Sequence, residues 1–226
     1  MDIHLPKPLH GWRDFLGEVG IIVLGVLVAL GAEQFVEMLH WHQRLRDAET
    51  SMSKELGEDD GAQALARIAL SSCISQHLQT AEEALIAERD KGTPFAAPAL
   101  SAPAFRTWDD DAWRASVSSD ATSHMTTESM NNWSAPYAFI PDMNATAIRE
   151  FNDWADVSRI KLLRAHPSDA ERDELLTAIG RARQDNELLT KLSRYLLHYS
   201  RVTEVHVPKV AQRTELANER QEMKVC

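Results

Sequence analysis

The chain is poor in cysteine, which limits how its fold can be stabilised. Its 226 residues include only two cysteines, Cys73 and Cys226. This count excludes a disulfide framework and the cysteine spacings of structural zinc sites. Two interpretations stay open: a single Cys73–Cys226 bridge in an oxidising compartment, or a reduced Cys73 that packs as a small apolar residue.

The chain also lacks clusters of positive charge. Acidic residues outnumber basic residues by 34 to 24, which gives a formal net charge of -10. Binding to nucleic acid requires basic patches that neutralise phosphates. We therefore expect no nucleic-acid partner, and we assign the acidic runs at Glu82–Glu83 and Asp109–Asp111 to solvated surfaces.

Recognisable catalytic and metal-binding motifs are absent from the sequence. It contains no Ser/His/Asp or Cys/His arrangement, no glycine-rich phosphate loop and no CxxCH haem site. The closest histidines, His40 and His42, would lie about 200° apart around a helix. We predict no enzyme activity, no cofactor and no metal. Four tryptophans could form an aromatic ligand cage, but packing in the core and loops is the more ordinary interpretation. They are Trp108, Trp113, Trp133 and Trp154.

No segment alternates apolar and polar residues over the length of a strand, so the sequence predicts an all-α fold. The expected architecture is a single N-terminal transmembrane helix continuous with an elongated antiparallel bundle of three or four helices. The predicted domains are a tail (1–11), the transmembrane helix with its flanks (12–41), the bundle (42–205, with a loop at 92–107) and a C-terminal tail (206–226).

The first bundle helix should end near Lys91, because Gly92 and the prolines after it favour a loop. Gly57 and Gly61 predict a weak point within it, since glycine costs about 1 kcal/mol relative to alanine in a helix. The apolar positions of this helix recur every three or four residues and include Met52, Leu56, Ala62, Ala66, Ala69, Cys73, His77 and Ala84.

Later helices have clear start signals. A short helix is predicted to start near Thr107, with the acids at 109–111 in its first turn, and Thr126 or Thr127 caps another helix that Pro136 and Pro141 bend or split. The apolar stripe beyond these prolines is Met143, Ala147, Phe151 and Trp154. Ser168–Glu171 forms a capping box for the last long helix. Its predicted core face is Leu175, Ile179, Ala182, Leu189, Leu192 and Leu196, together with the polar Asn186.

One long apolar run, Phe15–Phe35, dominates the amino-terminal part of the chain. As a helix it covers about 30 Å, which matches the hydrocarbon core of a bilayer. Trp12 and Trp41 flank the run at the level where amphipathic rings prefer the headgroups. We therefore predict a single transmembrane helix with Trp12 and Trp41 as interface anchors.

Two other interpretations of this run stay open. Its uncharged centre, Val19–Ala32, has the length of a signal-peptide core, and Ala29–Gly31 resembles a cleavage site. The run could also be a buried core helix. An uncleaved anchor is favoured because the helical pattern continues beyond Phe35 and because Glu18 interrupts the basic segment that a signal peptide needs.

The flanking charges do not decide the orientation of this helix. Lys7 and Arg13 precede it, and Arg44, Arg46 and Lys54 follow it. Because long domains translocate largely regardless of charge, we expect a cytoplasmic amino end and a carboxyl domain outside the inner membrane.

One face of the predicted transmembrane helix carries both of its acids and several small residues. At 100° per residue, the positions within about 60° of one line include Glu18, Ile22, Gly25, Ala29, Ala32 and Glu33. Gly25 and Ala29 form a small-xxx-small pattern, and carboxylates that face lipid are costly. We therefore expect this face to pack against other transmembrane helices. Alternatively, Glu18 and Glu33 reach the two headgroup zones.

Several segments resemble a family of uncharacterised single-pass bacterial envelope proteins, chiefly from proteobacteria. They are Trp12–Glu18 leading into GIIVLGVLVALGAEQ, Cys73, Trp108–Trp113 and Ser123–Met125. The chain departs from the family pattern at Pro136 and Pro141, which interrupt a helix that relatives would continue. The resemblance implies a membrane-anchored helical protein and no activity.

These features together predict a non-enzymatic accessory or scaffold subunit of a membrane complex or homo-oligomer. Its partners would be the lipid bilayer and other transmembrane helices. The alternative is a membrane-anchored periplasmic sensor or ligand-binding module, since helical bundles can hold ligands between their helices.

Overall fold

The computed structural model describes residues 11–223, except for the side chain of Asp14. All regular structure in this part of the chain is helical, which confirms the all-α class. The chain forms two compact units, which divide between Asp47 and Ala48. The transmembrane assignment, the bundle arrangement and the domain bounds stay predictions, and the predicted tail at 1–11 lies outside the described residues except for Gly11.

The described α-helices are α1 (Trp12–Lys54), α2 (Asp60–Lys91), α3 (Asp111–Ser118), α4 (Thr127–Tyr137), α5 (Ile140–Ser158), α6 (Asp169–Val202) and α7 (Lys209–Met223). A π-helical turn at Glu55–Asp59 lies between α1 and α2, and single 3-10 turns occupy Ala121–His124 and Arg159–Leu162. Residues 92–110 form an irregular segment.

The first unit presents an uncovered apolar surface. Among the described residues, one helix near the amino terminus is long and apolar enough to cross a membrane, and none of its apolar window is buried. The guanidinium of Arg44 lies 5.1 Å from the ring centre of Trp41, a cation–π contact. Trp12 is exposed.

In the second unit, α2 and α6 run antiparallel. Arg67 in the first part of α2 donates to Asn186 in the second part of α6 at 2.9 Å. Near the opposite ends of the two helices, Arg172 donates to Glu88 at 2.6 Å. The buried side chains between these contacts include Leu70, Ile74, Leu78, Leu85, Leu175, Ile179 and Ala182.

Three predicted helix boundaries agree with the structure. Thr126 accepts a hydrogen bond from the Ser129 amide at 3.1 Å as the cap of α4. The prolines split the helix as expected, because α4 ends at Tyr137 and α5 begins at Ile140. The capping box between Ser168 and Glu171 is present at the start of α6.

Some predicted core positions are wrong. Ala69 is exposed, because the buried face of α2 follows Leu70 and Ile74 one position later. Phe151 is 58% exposed, whereas the other three residues of the predicted α5 stripe are buried. The predicted core face of α6, including Asn186, is buried throughout.

The sequence predicts a tail or a frayed helix at 206–226, whereas the structure has a helix over most of this segment. Residues Lys209–Met223 form α7, and the Met223 side chain is fully buried against the core. Sequence patterns do not predict this helix, because its residues include few apolar side chains. Cys226 lies outside the described residues, so its pairing with Cys73 stays a prediction; Cys73 itself is half-buried and is not a free thiol.

The weak point predicted between Gly57 and Gly61 coincides with the π-helical turn at Glu55–Asp59. A Cβ atom added at Gly57 would lie 3.3 Å from the His206 carbonyl oxygen, and one at Gly61 would lie 2.7 Å from a Val207 methyl group. The two glycines therefore let the segment between α6 and α7 pack directly on the turn.

We expect Gly61→Ala to destabilise the protein by about 1–3 kcal/mol, because the added methyl group collides with the Leu56 carbonyl and Val207. Thermal unfolding of the full chain in detergent should show a Tm lower by roughly 2–10 °C. Gly180→Ala is the matched control: no atom crowds this exposed position within α6, so the change should stabilise by about 0.5–1 kcal/mol. An unchanged Tm for Gly61→Ala would contradict the close packing.

Candidate functional site

Two surfaces are candidates for function, and each belongs to one unit. The first is the face of α1 that carries the predicted membrane-helix interface. Its residues are all exposed in the chain: Glu18, Ile22, Gly25, Ala29, Ala32 and Glu33. A Cβ atom added at Gly25 would meet nothing within 4 Å, so this face has room for a neighbouring helix.

The second candidate is a cavity of about 180 Å³ in the second unit. Its walls come from α2, α5, α6, α7 and the irregular segment at 92–110. The apolar part of the lining includes Leu70, Ile74, Phe105, Trp108, Phe151 and Trp154. The polar part includes Gln63, Arg67, Arg106, Glu150 and Glu219.

Side-chain hydrogen bonds hold the irregular segment in place over the cavity. The Asn144 amide of α5 accepts from the Trp108 backbone N–H at 2.8 Å and donates to the Trp108 carbonyl at 2.9 Å. Such reciprocal pairing replaces the backbone partners that a loop lacks. The Phe95 amide donates to the Ala165 carbonyl at 2.7 Å near the start of the segment. The position of the Trp108 indole is therefore fixed by α5.

A buried ionic network forms the inner wall. Both terminal nitrogens of Arg67 donate to the carboxylate of Glu150, one of them at 2.7 Å, and one also donates to Asn186. Asn186 in turn donates to the Ser71 carbonyl and the Ser75 hydroxyl at 3.0 and 2.9 Å. The bidentate geometry fixes the plane of the guanidinium. This network joins α2, α5 and α6 at one point.

A second charged cluster lies at the α7 side. Arg106 is within 3.5 Å of carboxylate oxygens on Glu215, Glu219 and Glu222. Glu219 is buried, and its burial raises the pKa of its carboxyl to about 7, against the opposing effect of Arg106. Near neutral pH this carboxyl therefore exists in both protonation states.

Three buried donors at the cavity have no hydrogen-bond acceptor among the described residues: the indole nitrogens of Trp108 and Trp154, and the Nε of Arg67. Buried donors are normally paired in proteins, because an unpaired one forfeits its hydration. Each of these nitrogens is itself buried, so the three donors lie within the packed walls and do not open into the cavity.

The four tryptophans pack in or against the core, as the favoured interpretation predicts, and the alternative of an aromatic cage is not reproduced. Trp108 and Trp154 line the cavity, but both also belong to the hydrophobic core. Trp113 instead stacks on Tyr137 with ring centres 5.8 Å apart, and Trp133 is buried in the core away from the cavity. The four residues therefore do not form one site.

Sequence reasoning missed the ionic residues of the cavity, although a signal existed. Arg67 precedes Leu70 and Ile74 at helical spacing, and Glu150 lies between Ala147 and Trp154 in the same way. Each charge thus occupies a position in the apolar phase of its helix. Charged residues at such positions are rarely buried unless they are paired, so the phase indicates that each charge has a partner without identifying it.

The described residues contain no group of three or more His, Cys, Asp or Glu side chains that could hold a metal ion. His40 and His42 are both exposed on α1. Comparison of the chain with family models, with curated proteins and with solved structures finds no match. The resemblance to bacterial envelope proteins therefore stays a prediction.

A buried carboxyl with a raised pKa lies at the start of α2. Asp60 is buried and accepts one hydrogen bond, from the Asp109 amide at 3.1 Å. Its other oxygen has no partner among the described residues. Burial, reinforced by the nearby Glu55 and Asp109 carboxylates, raises the pKa of Asp60 from 3.8 to about 8.

We expect Asp60 to make the protein less stable as the pH rises. Because its pKa is higher in the folded chain, its favourable contribution is complete below pH 4 and is lost as the pH rises through 8. Asp60→Asn keeps the acceptor and removes the charge. The variant should match the parent near pH 4 and exceed it at pH 9 by about 2 kcal/mol, or about 4–8 °C in Tm.

Thermal unfolding of both chains between pH 4 and 9 measures this difference. Glu83→Gln is a control for charge removal, since Glu83 is an exposed residue of the same helix. Parallel pH profiles for the parent and Asp60→Asn would show that the carboxyl is not held neutral.

Proposed function

We propose that the chain is a single-pass membrane protein that acts as an accessory or scaffold subunit, through association of α1 with other transmembrane helices. The observation that carries this proposal is the complete exposure of the apolar window near the amino terminus. An apolar helix surface of this length is unfavourable in water and needs lipid or protein around it.

The composition of one face supports helix association over contact with lipid alone. Gly25 and Ala29 leave space for close approach of a second backbone, and Glu18 and Glu33 lie on the same side. Carboxylates near or within the hydrocarbon are less costly when they face protein or water. Both features favour a partner helix on this face.

We place the protein in a bacterial inner membrane, with the amino end in the cytoplasm and the second unit in the periplasm. The lipid bilayer and transmembrane helices of a larger complex, or of further copies of this chain, are its proposed partners. The resemblance of Trp12–Glu18 and the following apolar run to bacterial envelope proteins supports this placement.

A second candidate function is binding of a small ligand by the second unit. The largely apolar cavity beside Trp108 and Trp154, whose wall also carries the paired Arg67 and Glu150, favours it. This role depends only on the second unit, so it could coexist with a scaffold role of the membrane helix.

We expect the double variant Gly25→Leu/Ala29→Leu to lose its partners, because the larger side chains prevent close approach of a second helix. Membrane insertion should persist, since leucine is more apolar than the residues that it replaces. Purification of the tagged full chain in a mild detergent, with quantification of co-purifying chains, should show about tenfold less partner.

The matched control is Gly20→Leu/Gly31→Leu, which makes the same kind of change about 150° away around the helix. This control should retain the partner. Equal loss from both variants would indicate a general effect on the membrane segment, and unchanged association of the Gly25/Ala29 variant would show that this face is not the interface. Either result would contradict the proposal.

A further inference from the structure

A third surface of the second unit is an open groove between α2 and α6. It has a volume of about 330 Å³ and shares none of its described lining residues with the apolar cavity beside Trp154. Serines of α2 form one wall, and Lys191 and Arg194 of α6 line the other. Ser72, Lys191 and Arg194 are exposed, so the groove presents polar groups that a ligand can reach.

The two cations of the groove have no ion-pair partner. Arg172 and Arg181, which lie earlier in α6, contact carboxylate oxygens at 2.6 and 2.7 Å. Lys191 and Arg194 have no carboxylate partner among the described residues. The Lys191 ammonium lies 5.7 Å from the ring centre of Tyr195, a cation–π contact that leaves its charge available to an anion.

Acidic residues are scarce on both helices beside this groove. No Asp or Glu occurs between Gly61 and Ala81 in α2, or between Leu188 and Thr203 in α6. Among the described residues that line the groove, Glu187 is the one carboxylate. The groove is therefore locally positive on a chain with a formal net charge of -10, and this sign favours an anionic ligand.

The serine wall can donate a hydrogen bond to such an anion. The side-chain amide of Asn186, which is 1% exposed, donates to the Ser75 hydroxyl oxygen at 2.9 Å. Because this contact uses a lone pair of the oxygen, the hydroxyl hydrogen of Ser75 is left to donate to another acceptor. Ser75 is half-buried and lines the groove, so the buried network of Asn186 orients a donor at this surface.

A phosphate group matches these donors. Its several anionic oxygens can accept from an ammonium, a guanidinium and a hydroxyl at the same time. Nucleic acid would require a longer row of cations, because each neutralised phosphate needs its own Lys or Arg. Lys191 and Arg194 together suit a single phosphate.

We propose that the groove binds one anionic phosphate group, of a soluble phosphate ester or of a lipid headgroup, through Lys191, Arg194 and the hydroxyl of Ser75. This site goes beyond both roles proposed for the chain. It uses neither the apolar cavity nor the small-residue face of α1.

Backbone amide signals of the serines report binding in the groove. Two-dimensional NMR of the full chain, labelled with ¹⁵N-serine in phosphatidylcholine nanodiscs, follows Ser71, Ser72 and Ser75, with Ser118 of α3 as the reference outside the groove. In one arm the probe is glycerol phosphate, and sodium chloride at equal ionic strength is its control. In the other arm phosphatidylglycerol replaces part of the phosphatidylcholine, and no soluble phosphate is present.

The groove serines should shift in at least one arm, whereas Ser118 should not. A saturable shift with glycerol phosphate identifies a soluble ester as the ligand, and a shift with phosphatidylglycerol alone identifies a lipid headgroup. Either result supports the phosphate site. Sodium chloride should leave the groove serines unchanged, because chloride cannot contact all the donors at once.

Three charge variants test the named contacts in the arm that shows binding. Lys191→Gln and Arg194→Gln should each weaken binding by about tenfold, the value of one charge-assisted hydrogen bond. Glu187→Gln should tighten binding by about twofold to threefold, because it removes the carboxylate that repels the phosphate.

Arg201→Gln is the matched control, since Arg201 is an exposed cation of the same helix that does not line the groove. This variant should bind phosphate as the parent does. All four positions are exposed, and unchanged serine signals outside the groove verify the fold of each variant.

Three results would overturn the inference. Absence of a groove response in both arms would exclude a phosphate site. Equal shifts with sodium chloride and glycerol phosphate would show a general effect of salt. Equal weakening by Arg201→Gln and Arg194→Gln would show attraction to the net charge of the helix rather than a site. None of these results bears on the apolar cavity or on the association of α1 with its partners.

Discussion

The constraint on which this account depends is that the apolar window of α1 is not covered by any part of the chain that the structure describes. A soluble protein normally buries the apolar stripe of a helix against another element. Here the apolar window near the amino terminus is entirely unburied, whereas the second unit has its own core around Leu78, Leu85 and Ile179. This contrast is the basis of the proposal that lipid or other helices surround the window, because the second unit already covers its own core.

Within the second unit, the Arg67–Glu150 pair is the feature that stability alone explains least. A buried ion pair often contributes less than apolar side chains of similar volume, because both charges lose their hydration. The two terminal nitrogens of Arg67 donate to Glu150, while the Nε of Arg67 has no acceptor among the described residues. The position of the Arg67–Glu150 pair in the cavity wall therefore explains its geometry better than a contribution to core packing does. The companion helices contribute Asn186 and Trp154 to the same wall.

Local signals in the sequence predicted much of the fold. The all-α class, the cap at Thr126, the capping box at Ser168, the break at the prolines and the core face of α6 follow from interactions within a few residues, which sequence patterns record directly. The weak point near Gly57 was also visible, although its form as a π-helical turn was not. Local patterns succeed here because they depend on helix geometry alone.

Features that depend on tertiary contacts escaped prediction. Helix α7 has a polar sequence, and its order is accompanied by burial of Met223 and by contacts of Arg106 with three of its acids. The cavity exists because the irregular segment is held by Asn144, a contact between residues 36 positions apart. Sequence periodicity places Asn186 on a core face but does not pair it with Arg67, because no periodicity shows which buried polar groups meet.

Retention of the apolar run in the mature chain is the central claim, and extraction of native membranes at alkaline pH combined with intact mass measurement tests it most directly. The account predicts that the chain stays in the membrane pellet, since a spanning helix resists extraction, and that its mass includes residues 15–35. A chain released into the supernatant, or a mature amino end at Ala32, would contradict it.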